Sequence, residues 1–388
     1  MKILKRILIV FSIVMIQLLP TVMAAEQAKL RVLVIEQNPY LKTKGNITAT
    51  QYLNQEKDVS LCVEELIEDV EYGSNGNVDV EIVGWERFNE FVTSKNLLTL
   101  SNGTSSHTLD EATWLETTKN GWYGIWSSDI VKELGSYSYD YEYLLRKTNL
   151  VNRKNNDEFD QVWLVNVDPV STYESMMVGR TAYWVNGLPI KADCDNFVIL
   201  NVSISRRDAN NECIGHMIEA IIRDVFGESY NSYGKNTITI DDYSDVEKLN
   251  LWERFILNSY STGDYSSVGN IHFAPNGEYD YDWMNEKYVE SSWIDWKENY
   301  PNLTGETVLT NYRTWVPKGK ENWSGRYHHR WWFSLMPHID GKTEDGYSNN
   351  WWDYIVSLEH VDSIVSMENE LKMNKGRSSS WSNIQANL

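Results

Sequence analysis

Three cysteines are too few to staple this chain. Cys62, Cys194 and Cys213 allow one disulfide at most, which excludes a small disulfide-held scaffold and leaves a hydrophobic core as the source of stability. Positive charge is scarce as well: 35 Lys and Arg stand against 55 Asp and Glu, a formal net charge of −20. A surface of that sign repels nucleic acid and anionic membranes, so neither is expected as a partner. Beyond the N-terminus no stretch is long and apolar enough to cross a bilayer. The chain carries no Gly-x-Ser-x-Gly nucleophile elbow and no glycine-rich phosphate loop, so neither serine-elbow hydrolysis nor nucleotide chemistry finds support. It also has no Pro-rich linker and no internal repeat that would divide it.

What the chain does have begins with an export signal. Lys2, Lys5 and Arg6 form a basic start, residues 7–19 are almost wholly apolar, and Pro20 leads into the small-residue stretch Val22-Met23-Ala24-Ala25. That pattern reads as a cleaved secretory signal over residues 1–25. With no cysteine at the expected cut, a lipoprotein is not expected. The protein is therefore read as secreted or extracytoplasmic, with no stable membrane insertion after cleavage.

The remainder reads as one α/β domain over residues 26–373, with a core at 29–227, a C-terminal elaboration at 228–373 and a polar, Ser-rich tail at 374–388. Residues 30–35, 160–167 and 197–202 are apolar runs suited to strands buried on both faces, and 78–83 is a more exposed version. Helical periodicity lies between them: 59–70 puts Val63, Leu66, Ile67 and Val70 on one face, 128–145 has Ile130, Val131, Leu134, Leu144 and Leu145, and 206–226 ends at Gly227, a natural helix stop. This order predicts a mostly parallel central sheet flanked by helices. In such sheets ligands gather beyond the carboxyl ends of the strands. The segments after Val167 and after Val202 should therefore face one crevice. From about Gly227 onward Gly, Asn, Ser, Tyr and Asp become frequent. Residues 233–245 read as a polar excursion, 249–259 as a short helix with Trp252, Phe255 and Ile256 buried, and the rest as irregular aromatic-rich loops up to a helix at 351–358.

The segment Glu212-Cys213-Ile214-Gly215-His216-Met217-Ile218-Glu219 is the strongest functional clue. On a helix, residues at i, i+4 and i+7 share a face, so one imidazole and two carboxylates point the same way. His272, in Asn270-Ile271-His272-Phe273-Ala274-Pro275-Asn276, could add a ligand from a loop. Glu212, His216, Glu219 and His272 form the expected metal site, and a second histidine favours zinc. The bland alternative is a hydrogen-bonded structural histidine among satisfied acids. Glu174, after a strand end, is the expected catalytic acid or base, with an exposed loop carboxylate as the plainer reading. Arg206 and Arg207, at a strand-to-helix junction, could bind an anionic substrate or simply pair with Asp208 or Glu212.

Aromatics are abundant: 17 Trp and 23 Tyr, with doublets at Trp331-Trp332 and Trp351-Trp352. Rings of this kind either stack sugars or fill a core. Because they interleave with polar groups, His329, Arg330, Trp331 and Trp351 are taken as expected substrate contacts.

Residues 212–220, 272–276 with Asp280-Tyr281-Asp282, and His329-Arg330-Trp331-Trp332-Phe333-Ser334 with Asn349-Asn350-Trp351-Trp352 resemble, in order, a group of secreted bacterial proteins of unassigned function. The resemblance covers roughly residues 30–361. The helix of that group reads His-Ser-x-Gly-His-x-x-Glu, and this chain has Glu212 at the first position. The resemblance implies a single crevice built from these segments. Together the residues lead to the expectation of a secreted zinc-dependent hydrolase acting on an extracellular peptide or glycan. The rival is a non-catalytic glycan- or wall-binding protein in which the metal site is degenerate and the Trp pairs do the holding.

Overall fold

A computed structural model describes residues 27–53, 59–91, 93–96, 106–108, 110–118, 137–166, 172–204, 207–227, 249–262 and 265–358. The signal segment 1–25, the excursion 233–245, the tail 374–388 and Arg206 lie outside the described residues. The side chain of Arg207 does too.

The central sheet has six strands: β1 (Ala28–Gln37), β2 (Val78–Phe88), β3 (Gln161–Asn166), β4 (Ser175–Gly179), β5 (Ile190–Lys191) and β6 (Phe197–Val202). Their order across the sheet is β5-β4-β6-β3-β1-β2. Strands β1, β2, β3 and β6 run parallel. Strand β4 is antiparallel to β6, and β5 runs with β4. Apolar runs without alternation suit strands covered on both faces, and Leu30, Val32, Leu33, Val34 and Ile35 of β1 are each at most 2 % exposed. The mostly parallel α/β architecture expected from the strand–helix order is present. Strands β4 and β5 did not register in the sequence pattern, because five and two residues respectively are too short for a periodicity to develop.

Helix α1 (Val59–Gly73) and helix α3 (Arg207–Phe226) lie where the apolar stripes placed them, and Gly227 follows α3 with φ +77°. Of the helix expected over 128–145, residues 128–136 lie outside the described residues, and the described part differs from the expectation. Residues Tyr137–Tyr139 form a strand paired with Thr93–Asn96, and helix α2 occupies Tyr141–Thr148. The Asp140 side chain accepts the Tyr143 N–H at 2.8 Å and so starts the helix there. The short helix at 249–259 is α4 (Leu251–Phe255), opened by a reciprocal cap between Asn250 and Glu253.

The C-terminal part is more regular than its composition implies. Helices α5 (Trp293–Asn299) and α6 (Ser324–Leu335) interrupt what reads as loop, and α7 (Trp352–Val356) lies where the helix at 351–358 is expected. Helix α6 packs on α1 and α3, so its aromatic residues serve the core that also holds the sheet. Trp332, Trp351 and Trp352 are 0–1 % exposed. The Trp351 ring lies 5.0 Å from that of Phe226, 5.4 Å from Phe255 and 6.0 Å from Trp296, centroid to centroid. Trp351 is therefore a core residue and not a stacking platform. Trp351→Ala is expected to lower unfolding free energy by about 3–5 kcal/mol, read from a denaturant titration. A loss below about 1 kcal/mol would contradict the burial.

Candidate metal centre

Helix α3 leaves the end of β6, and Glu174 closes the segment between β3 and β4, where its carbonyl accepts the Asn201 N–H of β6 at 2.9 Å. Of the two segments expected at the crevice, the first brings Thr172, Tyr173 and Glu174 to it; Ser203 and Ile204 of the second do not line it, and residues 167–171 and 205–206 lie outside the described residues. Glu174, Glu212, His216, Glu219 and His272 all line one cleft of about 460 Å³, together with Tyr281, Asn186, Trp184 and Arg223. That volume suits a small ligand or the end of a polymer.

His272 arrives from a tight loop. Gly269 has φ +80°, and a Cβ there would sit 2.3 Å from the Phe273 carbonyl oxygen, so only glycine closes this turn. The Asn270 side chain accepts the backbone N–H groups of His272 and Phe273 at 3.0 and 2.9 Å, and the Trp332 indole N–H donates to the Gly269 carbonyl at 2.9 Å. The loop meets α3 at Gly215, where a Cβ would fall 2.2 Å from Ile271 Cδ1 and 2.4 Å from its Cγ1. Absence of a side chain at Gly215 is what lets the His272 loop lie against the helix. Gly215→Ala is expected to cost about 1–3 kcal/mol through overpacking and to weaken metal uptake by moving His272 outward. Unfolding and metal-competition titrations on the same sample check both halves.

The polar geometry separates two roles that sequence spacing merges. His216 Nε2 lies 2.9 Å from His272 Nε2 and 4.0 Å from Glu212 Oε1, and His272 Nε2 lies 3.1 Å from the same Glu212 oxygen. Glu212, His216 and His272 therefore direct their ligand atoms at one point. Each imidazole also has a carboxylate behind it: Glu219 Oε2 is 3.0 Å from His216 Nδ1, and Asp280 Oδ1 is 3.3 Å from His272 Nδ1. Carboxylates in that position fix the tautomer and ring orientation of metal-ligating histidines. Glu219, expected as a ligand, orients His216 instead. Its other oxygen accepts the Ile271 N–H at 3.0 Å and so ties the helix to the loop.

These residues fit a metal ion. Separations of 2.9, 3.1 and 4.0 Å bracket the roughly 3.3 Å edge of a tetrahedron with bonds of about 2.0–2.1 Å. Two imidazoles among four carboxylates, counting Glu174 and Asp280, leave excess negative charge that a cation would neutralise. Buried Glu212 with half-buried His216 and His272 could hold a metal ion.

Electrostatics follow the same geometry. Burial pushes the Glu212 carboxyl up, but hydrogen bonds from His272 and from the Tyr281 hydroxyl (2.9 Å) hold it at about 2. Burial pulls His216 down, and the Glu219 hydrogen bond outweighs it, with the charges of Glu219, Glu174 and Glu212, to bring it to about 9. Glu219 is lowered: burial raises it, and the bond to His216 overcomes that. Glu174 is raised, first by burial and also by Glu212, against the pull of His216; Asn186 donates to its Oε2. That oxygen is 3.6 Å from His216 Nε2, on the ligand side of the ring.

Tyr281 carried no role in the sequence reading beyond its place in the resemblance. Its hydroxyl reaches Glu212 and stands 3.3 Å from His272 Nε2, while its backbone sits at φ +64°. A bulky residue in the left-handed region is uncommon and costs about 1–3 kcal/mol. Its only sequence signal was its place between Asp280 and Asp282, six residues past Pro275.

The remaining expected contacts lie elsewhere. None of His329, Arg330, Trp331 and Trp351 lines the cleft. His329 is fully buried, and burial first of all lowers it to about 4, leaving it neutral behind the cluster. Arg330 pairs with Asp69 at 3.0 Å and covers the Tyr72 ring at 4.3 Å. Trp331 packs against Trp315 at 5.1 Å and Trp293 at 6.1 Å. These four residues belong to the packing around α6. Compared with known proteins, the chain matches no family model, no curated protein and no solved structure.

Proposed function

We propose that this chain is a secreted zinc-dependent hydrolase acting on an extracellular peptide or glycan. One observation carries the reading: two imidazoles, each backed by a carboxylate at Nδ1, turn their Nε2 atoms to one point beside the Glu212 carboxylate. Two histidines and one glutamate with an open side are a donor set used by catalytic zinc, whereas structural zinc sites are closed by four protein ligands. When bound, zinc supplies Lewis-acid polarisation of the scissile group.

The chain's own residues supply the rest. Glu174 stands 3.6 Å from the ligand face of His216 with its proton affinity raised by burial. It is placed to take a proton from the attacking water and return it to the leaving group. Asn186 holds the Glu174 carboxylate in that orientation. Tyr281 donates its one O–H to Glu212 and so fixes that carboxylate in place. The rival reading, a glycan-binding protein with a degenerate site, depended on exposed Trp pairs, and the burial of Trp332, Trp351 and Trp352 removes that platform.

Glu174→Gln tests the assignment. It keeps the shape and the Asn186 contact but removes the base, so turnover of a cleaved peptide or glycan should fall about 10²–10⁴-fold while metal content stays unchanged. Equal turnover in the variant would remove Glu174 from the chemistry. A wild-type protein that takes up zinc and cleaves no member of either polymer class would reject the hydrolase.

A further inference from the structure

We propose that Asn186 recognises the substrate: its side-chain carbonyl accepts a backbone N–H of a peptide next to the bond being cleaved. The inference rests on the hydrolase reading of the cleft and names its substrate class. On the α3 side the polar groups of the lining are committed to the metal centre. Glu212 accepts from Tyr281 and meets His272, and Glu219 is bonded to His216 and to the Ile271 N–H. Asn186 belongs to the rest of the lining, with Thr172, Tyr173 and Glu174.

The turn that carries Asn186 is fixed on both sides. The Ser175 hydroxyl donates to the Val185 carbonyl at 2.6 Å. A Cβ at Gly187 would fall 2.6 Å from the Ser175 carbonyl oxygen and 2.7 Å from Tyr173 Cγ, so the turn lies flush on the start of β4. Asn186 itself has φ +63°, a left-handed conformation that asparagine tolerates better than most residues.

The side chain is held as well. Its Nδ2 donates to Glu174 Oε2, the oxygen that stands 3.6 Å from His216 Nε2. An ionised carboxylate only accepts, which settles which end of the amide faces it. Oδ1 is thereby turned away from Glu174. No described residue donates to Oδ1, and the atom is open to solvent. An amide oxygen held beside the base, reachable and unspent, accepts one hydrogen bond from a substrate. Because Asn186 touches the base, the donor it takes adjoins the scissile bond, where a peptide carries a backbone N–H. One carboxamide then joins substrate and base, since accepting at Oδ1 strengthens the bond that Nδ2 gives to Glu174.

A peptide suits the cleft better than a sugar chain, because the rings of the lining are already engaged by protein groups. Trp184 lies under Arg223, Tyr173 is stacked on Tyr141 at 5.9 Å with planes 10° apart, and Tyr281 sits between His272 and Trp283.

The test is calorimetric binding to the full mature chain, in chelator-treated protein where no turnover intervenes and again with zinc. The parent probe is an N-acetylated alanine pentapeptide amide. Its companions are depsipeptides in which one backbone N–H at a time is replaced by an ester oxygen, and tri-N-acetylchitotriose. One depsipeptide should bind about tenfold more weakly than the parent, as expected when the acceptor loses its donor. Asn186→Gly should erase that difference while keeping the turn, since glycine adopts φ +63° freely. Equal binding of the parent and every depsipeptide by the wild-type protein overturns the proposal without recourse to any variant. So does a difference that survives in Asn186→Gly, and so does a parent peptide that fails to bind. Preference for the chitotriose, lost in Asn186→Gly, overturns the peptide. Discrimination between amide and ester in a protein that takes up no zinc keeps Asn186 as the peptide acceptor and removes the hydrolase. Zinc uptake without discrimination does the reverse.

Discussion

Zinc added to chelator-stripped protein is expected to bind near one equivalent, raise the melting temperature, and bind more tightly as pH rises. The sign follows from His216. In the metal-free protein Glu219, Glu174 and Glu212 bring its pKa to about 9 in spite of burial, so at neutral pH the imidazole carries a proton that a metal ion must displace. Glu212, held at about 2, is already ionised there and has none to lose. Apparent zinc affinity should therefore climb about tenfold per pH unit between pH 6 and 8 and level off near pH 9, with about one proton released by His216 for each ion bound. The metal-free protein shows the opposite trend. A histidine whose folded pKa lies above its unfolded value of 6.5 contributes stability that is fully present below about pH 6.5 and lost as pH rises through about 9. His216→Ala should abolish zinc uptake and the chelator-dependent shift in melting temperature, whereas His338→Ala should leave both, since His338 belongs to a hairpin pairing with Asn350. Elemental analysis with competition titrations at three pH values decides the matter. Absence of zinc from protein purified without chelator, with stability indifferent to added zinc, would reject the centre.

Asp69→Ala is expected to cost about 3–5 kcal/mol, the usual loss when one partner of a buried ionic network is removed. Asp69 of α1 is 2 % exposed. It accepts two bonds from Arg326 of α6, at 2.7 and 2.9 Å, and one from Asn211 of α3 at 2.9 Å, and pairs with Arg330 at 3.0 Å. One carboxylate thus joins three helices, and its removal takes the hydrogen-bonded partner from two guanidinium groups, 15 % and 23 % exposed, leaving Arg326 the charges of Glu65 and Glu68. Asn211 directly precedes Glu212, so the variant should also loosen the metal centre and lower zinc affinity. Chemical unfolding gives the first effect and zinc competition the second. A loss under about 1 kcal/mol would show that the arginines find other partners or water.

The features legible in the chain were those set by local geometry. The runs at 30–35, 160–167 and 197–202 hold the central strands β1, β3 and β6 because unbroken apolar sequence can be covered only between two layers. The 212–219 stripe became one face of α3 because 3.6 residues per turn admits no other arrangement. Glu174 was identifiable from a strand end, Glu212, His216 and Glu219 from helix spacing, and His272 only as an imidazole in a loop that could close over them. What stayed hidden was what depends on partners far along the chain. Spacing puts Glu219 on the same face as His216, but whether its carboxylate reaches an ion or the Nδ1 atom is decided by ring rotation, and the 269–282 segment sets that rotation. Arg223 lies a further turn along the same face, yet its place in the cleft emerges only once Trp184 folds across from it. Tyr281 needs a left-handed backbone that no pattern announces. The tryptophans show the limit most clearly, because the same rings serve a sugar platform or a core and sequence contains no measure of exposure. Helix α6 closing on α1 and α3 buried them, through contacts spanning more than 250 residues between Asn75 and Ser334. Periodicity is written residue by residue, so it was readable, whereas the choice of which faces meet belongs to packing and only the folded molecule makes it.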